Sequence, residues 1–121
     1  MAATVLVVED DPDSRESLSE YLAQKGYRVT QAANGREALD RLRQQDGQPS
    51  LILLDLSLPV MNGWEFRDLQ VHDPRLADIP VVIVSGEPDA NDGSLEANGY
   101  LAKPLDLGKL GVLLDRFFRF S

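Results

Sequence analysis

Short apolar runs and helical patterns alternate along this chain. Most of the runs are rich in β-branched side chains and end at turn or charged residues, a pattern typical of strands buried in a parallel sheet. Tyr27–Ala32 differs, because apolar and polar residues alternate there, and this indicates a more exposed strand. The five predicted strands are Thr4–Val8, Tyr27–Ala32, Leu51–Leu54, Pro80–Val84 and Gly99–Ala102.

Amphipathic segments separate most of the runs. The first begins after Asp11, a predicted N-cap that precedes a proline at the first helical position. The third, Gly63–His72, is predicted to turn Trp64 and Leu69 towards the core. This alternation predicts an α/β fold with a parallel sheet, helices on both faces and right-handed crossovers. The second and last predicted helices are Arg36–Gln45 and Leu107–Phe118.

One segment departs from the alternation. A fourth helix is expected between Ser85 and Gly99, but these thirteen residues include a proline, two glycines and two asparagines. Such residues are poor helix formers, and few apolar side chains remain to face a core. The sequence therefore predicts that the fourth helix is short or degraded, with about one turn after Ser94.

Composition and charge narrow the possible functions. At 121 residues the chain is expected to form a single domain, 1–121, with no output domain. A formal charge of −8 disfavours binding to nucleic acid and to anionic membranes. The absence of cysteine excludes disulfides and thiolate metal sites. We find no signal peptide and no apolar run near the ~20 residues that span a bilayer, and we expect a cytoplasmic protein.

Functional side chains follow four of the predicted strands at the point where each strand ends. Glu9 and Asp10 follow the first strand, Asp55 the third, Ser85 the fourth and Lys103 the fifth. Because the carboxyl ends of parallel strands meet at one edge of the sheet, we expect these groups to lie together. Neighbouring carboxylates favour a cation, and oxygen ligands favour Mg²⁺. An aspartate beside a metal ion, a lysine and a hydroxyl is equipped to accept a phosphoryl group.

These motifs resemble the receiver domains of two-component response regulators over the whole chain. The stretches VVEDD, LLDLSLPVMNG, VVIVSG and YLAKP carry the resemblance. It implies a flavodoxin-like, doubly wound five-stranded sheet in the order 2-1-3-4-5, as in chemotaxis regulators. It also implies that Asp55 is the phospho-acceptor, and that Glu9, Asp10, Asp55 and the backbone carbonyl of Ser57 hold Mg²⁺.

The resemblance assigns the remaining residues to the response to phosphorylation. Ser85 corresponds to the switch hydroxyl, Lys103 to its lysine partner and Tyr100 to the aromatic residue whose rotamer follows the switch. The Lys103-Pro104 peptide bond is expected to be cis, a state accessible mainly to bonds that precede proline. Asp11 is not expected to be a metal ligand, because its role as an N-cap accounts for it.

The resemblance further implies a histidine kinase or histidine phosphotransfer protein as donor and a downstream protein as partner, with a homodimer as one form of partnership. No enzymatic activity is expected beyond self-phosphorylation from a donor and autodephosphorylation. Two alternatives stay open. The degraded fourth helix leaves room for an interaction module that works without phosphorylation. A Mg²⁺-dependent phosphohydrolase generally carries a second acid two residues beyond its nucleophile, where this chain has Ser57.

Overall fold

The computed structural model describes residues 3–44, 48–86 and 97–118. The strands are β1 (Thr4–Val8), β2 (Arg28–Ala32), β3 (Leu51–Asp55), β4 (Val81–Ser85) and β5 (Gly99–Ala102). The helices are α1 (Pro12–Gln24), α2 (Gly35–Gln44), α3 (Gly63–Val71) and α4 (Leu107–Phe118). The strands form one sheet in the order β2-β1-β3-β4-β5, and every neighbouring pair is parallel. This confirms the predicted doubly wound α/β fold and its strand order.

Burial of the sheet follows the apolar pattern of the sequence. Every residue of β3 and β4 is buried, whereas the edge strands β2 and β5 are mostly half-exposed. Side chains of successive residues point to opposite faces, so each face of the sheet carries its own hydrophobic cluster. One cluster includes apolar side chains of α2 and α3, and the other includes those of α1 and α4.

Side-chain caps begin two helices close to the carboxyl edge of the sheet. Asp11 accepts a hydrogen bond from the Ser14 backbone N–H at 3.1 Å, which confirms its role as the N-cap of α1. At α3, Asn62 Oδ1 accepts from the Glu65 N–H at 2.9 Å and Glu65 Oε1 accepts from the Asn62 N–H at 3.2 Å. This reciprocal capping box satisfies two backbone donors and defines where α3 begins.

The prediction for the buried face of α3 is wrong at Leu69. This side chain is 40% exposed, whereas Phe66 and Gln70 are fully buried. Gln70 tolerates burial because its side-chain amide donates to the carbonyl oxygens of Leu76 and Ile79, at 3.0 and 3.1 Å. Gln70 thereby ties α3 to the connection that precedes β4, and the helix face that contains Leu69 turns to solvent.

Two other predictions about the helices have different outcomes. Trp64 is partly buried against the cluster on the α2 and α3 face, as predicted. The predicted short fourth helix falls on residues 87–96, which lie outside the described residues.

Within the three described ranges, no helix is long and apolar enough to cross a membrane.

Candidate functional site

The carboxyl edge of the sheet gathers the acidic residues and the lysine that the sequence singles out. Asp55 ends the central strand β3, and Glu9 directly follows β1. Lys103 directly follows β5, which lies two strands away from β3 with β4 between them. The long side chain of Lys103 spans this distance and reaches both acids.

Lys103 forms two ion pairs at the centre of the site. Its Nζ lies 2.7 Å from Asp55 Oδ2 and 3.0 Å from Glu9 Oε1. The two acidic side chains are only 5% and 8% exposed, so they depend on the ammonium to compensate their charge. The backbone of Lys103 is held as well, since its N–H donates to the Ser85 carbonyl at 2.9 Å. Its peptide bond to Pro104 is cis.

Burial and charge together set the pKa values at this site. Burial and a hydrogen bond with Asp55 raise the pKa of Glu9 to about 7, although Lys103 opposes the shift. Burial would lower the pKa of Lys103, but its hydrogen bonds to Asp55 and Glu9 outweigh that effect and raise the pKa above the usual value. Lys103 is therefore cationic at neutral pH, whereas Glu9 can carry a proton there when no further cation is close.

Three carboxylates at this edge form a group that can hold a metal ion. Glu9, Asp10 and Asp55 each offer an oxygen, and these oxygens all lie within 4.8 Å of one another. Glu9 and Asp55 are buried while Asp10 is exposed, so the group opens to solvent on one side. Oxygen ligands with room for water are the environment that Mg²⁺ prefers, and the donor set therefore fits the predicted ion.

Arg15 supports the loop that carries two of these acids. Its Nη1 donates to the Glu9 backbone carbonyl at 2.9 Å, and Glu9 Oε2 in turn accepts from the Asp10 N–H at 3.0 Å. Sequence reasoning did not single out Arg15, because a basic residue early in a helix is ordinarily solvated. Its place six residues after Glu9, early in the helix that follows the acidic pair, is the signal that could have found it.

The loop after Asp55 is packed closely against the end of β3. The Ser57 N–H donates to Asp55 Oδ1 at 3.1 Å, so a backbone donor lies beside the carboxylate. The Gly63 N–H donates to the Leu56 carbonyl at 3.0 Å. A Cβ on Gly63 would lie only 2.6 Å from the Asp55 carbonyl oxygen, and glycine is therefore what allows α3 to begin this close to the strand.

Val60 occupies the same loop in an unusual conformation. Its φ is 65°, in the left-handed region that a β-branched residue rarely adopts, and its side chain is 82% exposed. The Met61 N–H donates to the Pro59 carbonyl at 2.6 Å, which closes a tight turn around Val60. The Met61 carbonyl accepts from the Gly35 N–H at 2.9 Å, so the loop is also fixed to α2. Sequence reasoning missed this strained position.

The predicted switch residues lie on the two strands beyond Asp55. Ser85 ends β4, is 4% exposed and pairs in register with Ala102. Tyr100 pairs with Ile83 and packs, partly buried, against the hydrophobic cluster of the α2 and α3 face. The structure thus places Ser85 at the same sheet edge as Asp55 and Lys103, and Tyr100 two residues before that edge.

A cavity of about 420 Å³ opens beside the acids. Glu9, Asp55 and Lys103 form part of its lining, together with residues of α1 and of the segment after β5. Most of the other lining residues are apolar, among them Leu18 and Leu105. The Asp55 carboxylate, although nearly buried, therefore faces a space large enough for a small molecule.

Comparisons with known proteins agree on one family. The sequence profile of the response regulator receiver domain matches residues 5–115. Sporulation initiation phosphotransferase F from Bacillus subtilis is 34% identical, over 97% of this chain and 94% of that protein. Transcriptional regulatory protein CrdR from Helicobacter pylori is 35% identical over 98% of this chain, which spans only 56% of its length. The receiver domain of a sensor histidine kinase from Pseudomonas aeruginosa was solved with magnesium in its active-site cleft. It superposes on this chain with a TM-score of 0.85 at 27% identity, and the match covers 97% of this chain and 98% of that chain.

Proposed function

Because this chain belongs to the response regulator receiver domain family, we propose that it accepts a phosphoryl group on Asp55 and signals through protein contacts that change as a result. The observation that carries the proposal is the Lys103 ammonium, 2.7 Å from a nearly buried Asp55 carboxylate. A carboxylate oxygen of Asp55 attacks the phosphorus, and the bond from phosphorus to the donor breaks, with its electron pair leaving on the donor.

Two groups of this chain stabilise the charge that develops on the transferred phosphoryl group. The Lys103 ammonium already lies at the carboxylate and needs only a small movement to reach a phosphoryl oxygen. The Ser57 N–H, now bonded to Asp55 Oδ1, supplies a backbone donor on the same side chain. Both groups are held by neighbouring structure, so little reorganisation is required when the phosphoryl group arrives.

We assign a Mg²⁺ site to Glu9, Asp10, Asp55 and the backbone carbonyl of Ser57. When bound, the ion neutralises negative charge on the phosphoryl oxygens. The three clustered carboxylates support this assignment, and so does the relative that was solved with magnesium in its cleft. Arg15 holds the Glu9 backbone and keeps the acidic pair in place.

The proposed response involves Ser85 and Tyr100. Ser85 follows the residue of β4 that pairs with Asp55, and this position supports a role for its hydroxyl in binding a phosphoryl oxygen once the group is attached. Movement at Ser85 would then change the rotamer of the partly buried Tyr100 on the neighbouring strand. The proposed donor is a histidine kinase or a histidine phosphotransfer protein, and the proposed reader is a downstream protein or a second copy of this chain.

Intact mass spectrometry tests the phosphorylation directly. The protein is incubated with Mg²⁺ and acetyl phosphate, and the gain of one phosphoryl group is expected. Asp55→Asn is expected to abolish the gain, while Asp40→Asn, a change to a half-exposed aspartate on α2, is expected to retain it. An unchanged mass of the wild-type protein would favour an interaction module that works without phosphorylation. Steady turnover of unrelated phosphate esters would instead favour a phosphohydrolase.

A further inference from the structure

The cavity beside Asp55 accommodates more than a phosphoryl group. We propose that it binds the apolar acyl group of small-molecule acyl phosphates, so that this chain is phosphorylated faster by longer-chain acyl phosphates than by acetyl phosphate. This inference rests on the proposed function, because it takes Asp55 to be the acceptor. It adds a preference for one class of phosphoryl donor. The acidic residues and Lys103 do not determine this preference.

Both charged and apolar side chains line the cavity. Lys103 and Asp55 are among the charged ones, and the phosphoryl group must lie beside them if it is to be transferred. Leu18 of α1 and Leu105 and Leu107 after β5 are among the apolar ones. An acyl phosphate likewise combines an anionic phosphoryl end with an uncharged hydrocarbon end.

The volume of the cavity and the exposure of its lining residues are suited to binding a small ligand. About 420 Å³ falls within the range of pockets that bind small molecules, roughly 300–1,000 Å³. Leu18 is almost fully buried, while Leu107 is 40% exposed and marks a side that is open to solvent. Asp13 also lines the cavity and disfavours a second negative charge on the acyl group. The site therefore suits an uncharged, apolar acyl group.

The transfer balances without a further reactant. An oxygen of the Asp55 carboxylate forms a bond to phosphorus, and the bond from phosphorus to the acyl oxygen breaks. The acyl group leaves as a carboxylate that keeps the electron pair, and no proton moves. Acetate, propionate and butyrate are leaving groups of nearly equal basicity, so differences in rate among their phosphates report how the protein binds the hydrocarbon.

Burial of hydrocarbon determines the size of the expected effect. Full burial of one methylene group is worth about a fourfold change in an equilibrium constant. Because the cavity is partly open at Leu107, we expect half of this free energy for each methylene. Half of the free energy corresponds to about a twofold change in the rate constant. Butyryl phosphate carries two more methylenes than acetyl phosphate, and its rate constant is expected to be about fourfold higher.

The test compares initial rates of phosphorylation by acetyl, propionyl and butyryl phosphate. Each donor is used at the same low concentration with Mg²⁺, and the phosphorylated fraction is followed by intact mass. Leu107→Ser is expected to lower the butyryl to acetyl ratio towards one. Val112→Ser, a change to an exposed apolar residue of the same helix that does not line the cavity, is expected to leave the ratio unchanged.

The outcomes separate this inference from the proposed function. Equal rates for the three donors, or rates that fall with chain length, would overturn the apolar acyl site while leaving Asp55 as acceptor. A ratio that survives in a folded Leu107→Ser protein would overturn the location of the site. If none of the three donors adds a phosphoryl group to the wild-type protein, the proposed function itself fails.

Discussion

Replacing Gly63 with alanine is expected to disturb the proposed acceptor from outside the site. The added Cβ would lie 2.6 Å from the Asp55 carbonyl oxygen and 2.8 Å from the Leu56 Cα. Contacts of a Cβ atom under 3.0 Å are essentially never observed, so the start of α3 and the end of β3 must move apart by at least about 0.4 Å. Because both contacts are with backbone atoms, no side-chain rotation can relieve them.

Two opposing effects set the change in the free energy of unfolding. Overpacking of this kind costs about 1–3 kcal/mol. Alanine recovers about 0.5–1 kcal/mol, because it restricts the unfolded chain and favours helix relative to glycine. The net expectation for Gly63→Ala is a loss of about 0–2.5 kcal/mol, centred on about 1 kcal/mol. With a denaturant slope of about 2 kcal/mol/M, this central value lowers the urea midpoint by about 0.5 M. Displacement of Asp55 is also expected to slow phosphorylation by acetyl phosphate at least about tenfold.

Gly108→Ala is the matched control, because Gly108 also lies in the first turn of a helix. It is exposed, and the nearest neighbour of its added Cβ is a side-chain atom at 3.1 Å, the Asp106 oxygen that accepts from the Gly108 and Lys109 N–H groups. This variant is expected to unfold at an equal or higher urea concentration than the wild type. The reasoning is refuted if Gly63→Ala is as stable as Gly108→Ala, or if it is phosphorylated at the wild-type rate.

Three further predictions concern stability. Gln70→Leu removes the side-chain donor of the buried Ile79 carbonyl and one of the two donors of the Leu76 carbonyl, which keeps the Ile79 N–H, and it is expected to cost about 1–3 kcal/mol in urea unfolding; a loss below about 0.5 kcal/mol would contradict this. Val60→Asn relieves a left-handed β-branched residue and is expected to raise stability by about 1 kcal/mol, and an unchanged thermal midpoint would count against the strain. Because the folded pKa of Glu9 is raised from 4.5 to about 7, its contribution to stability is present below pH 4.5 and lost as the pH rises through 7. In metal-free buffer the wild type is expected to become less stable relative to Glu9→Gln as the pH rises from 4.5 through 7, and a constant difference would contradict the shift.

The positions of Glu9, Asp55 and Lys103 at one edge of the sheet could be predicted from the sequence. The alternation of strands and helices indicated a parallel sheet, and a parallel sheet aligns the carboxyl ends of its strands. Residues that are 46 and 48 positions apart in the chain therefore meet for a topological reason. The buried central strands followed from their continuous apolar runs, since such runs suit a strand covered on both faces.

Only the tertiary structure determined which polar and small residues make close contacts between elements. Hydrophobic periodicity favoured Leu69 for the core, but the partners of Gln70 lie in a connection whose path the pattern does not specify. The need for glycine at position 63 appears only when the start of α3 is placed against the end of β3. The strain at Val60 and the cavity beside Asp55 likewise depend on how separate segments approach one another. A linear pattern tells which face of an element is buried, whereas distances between atoms of different elements arise only when those elements pack.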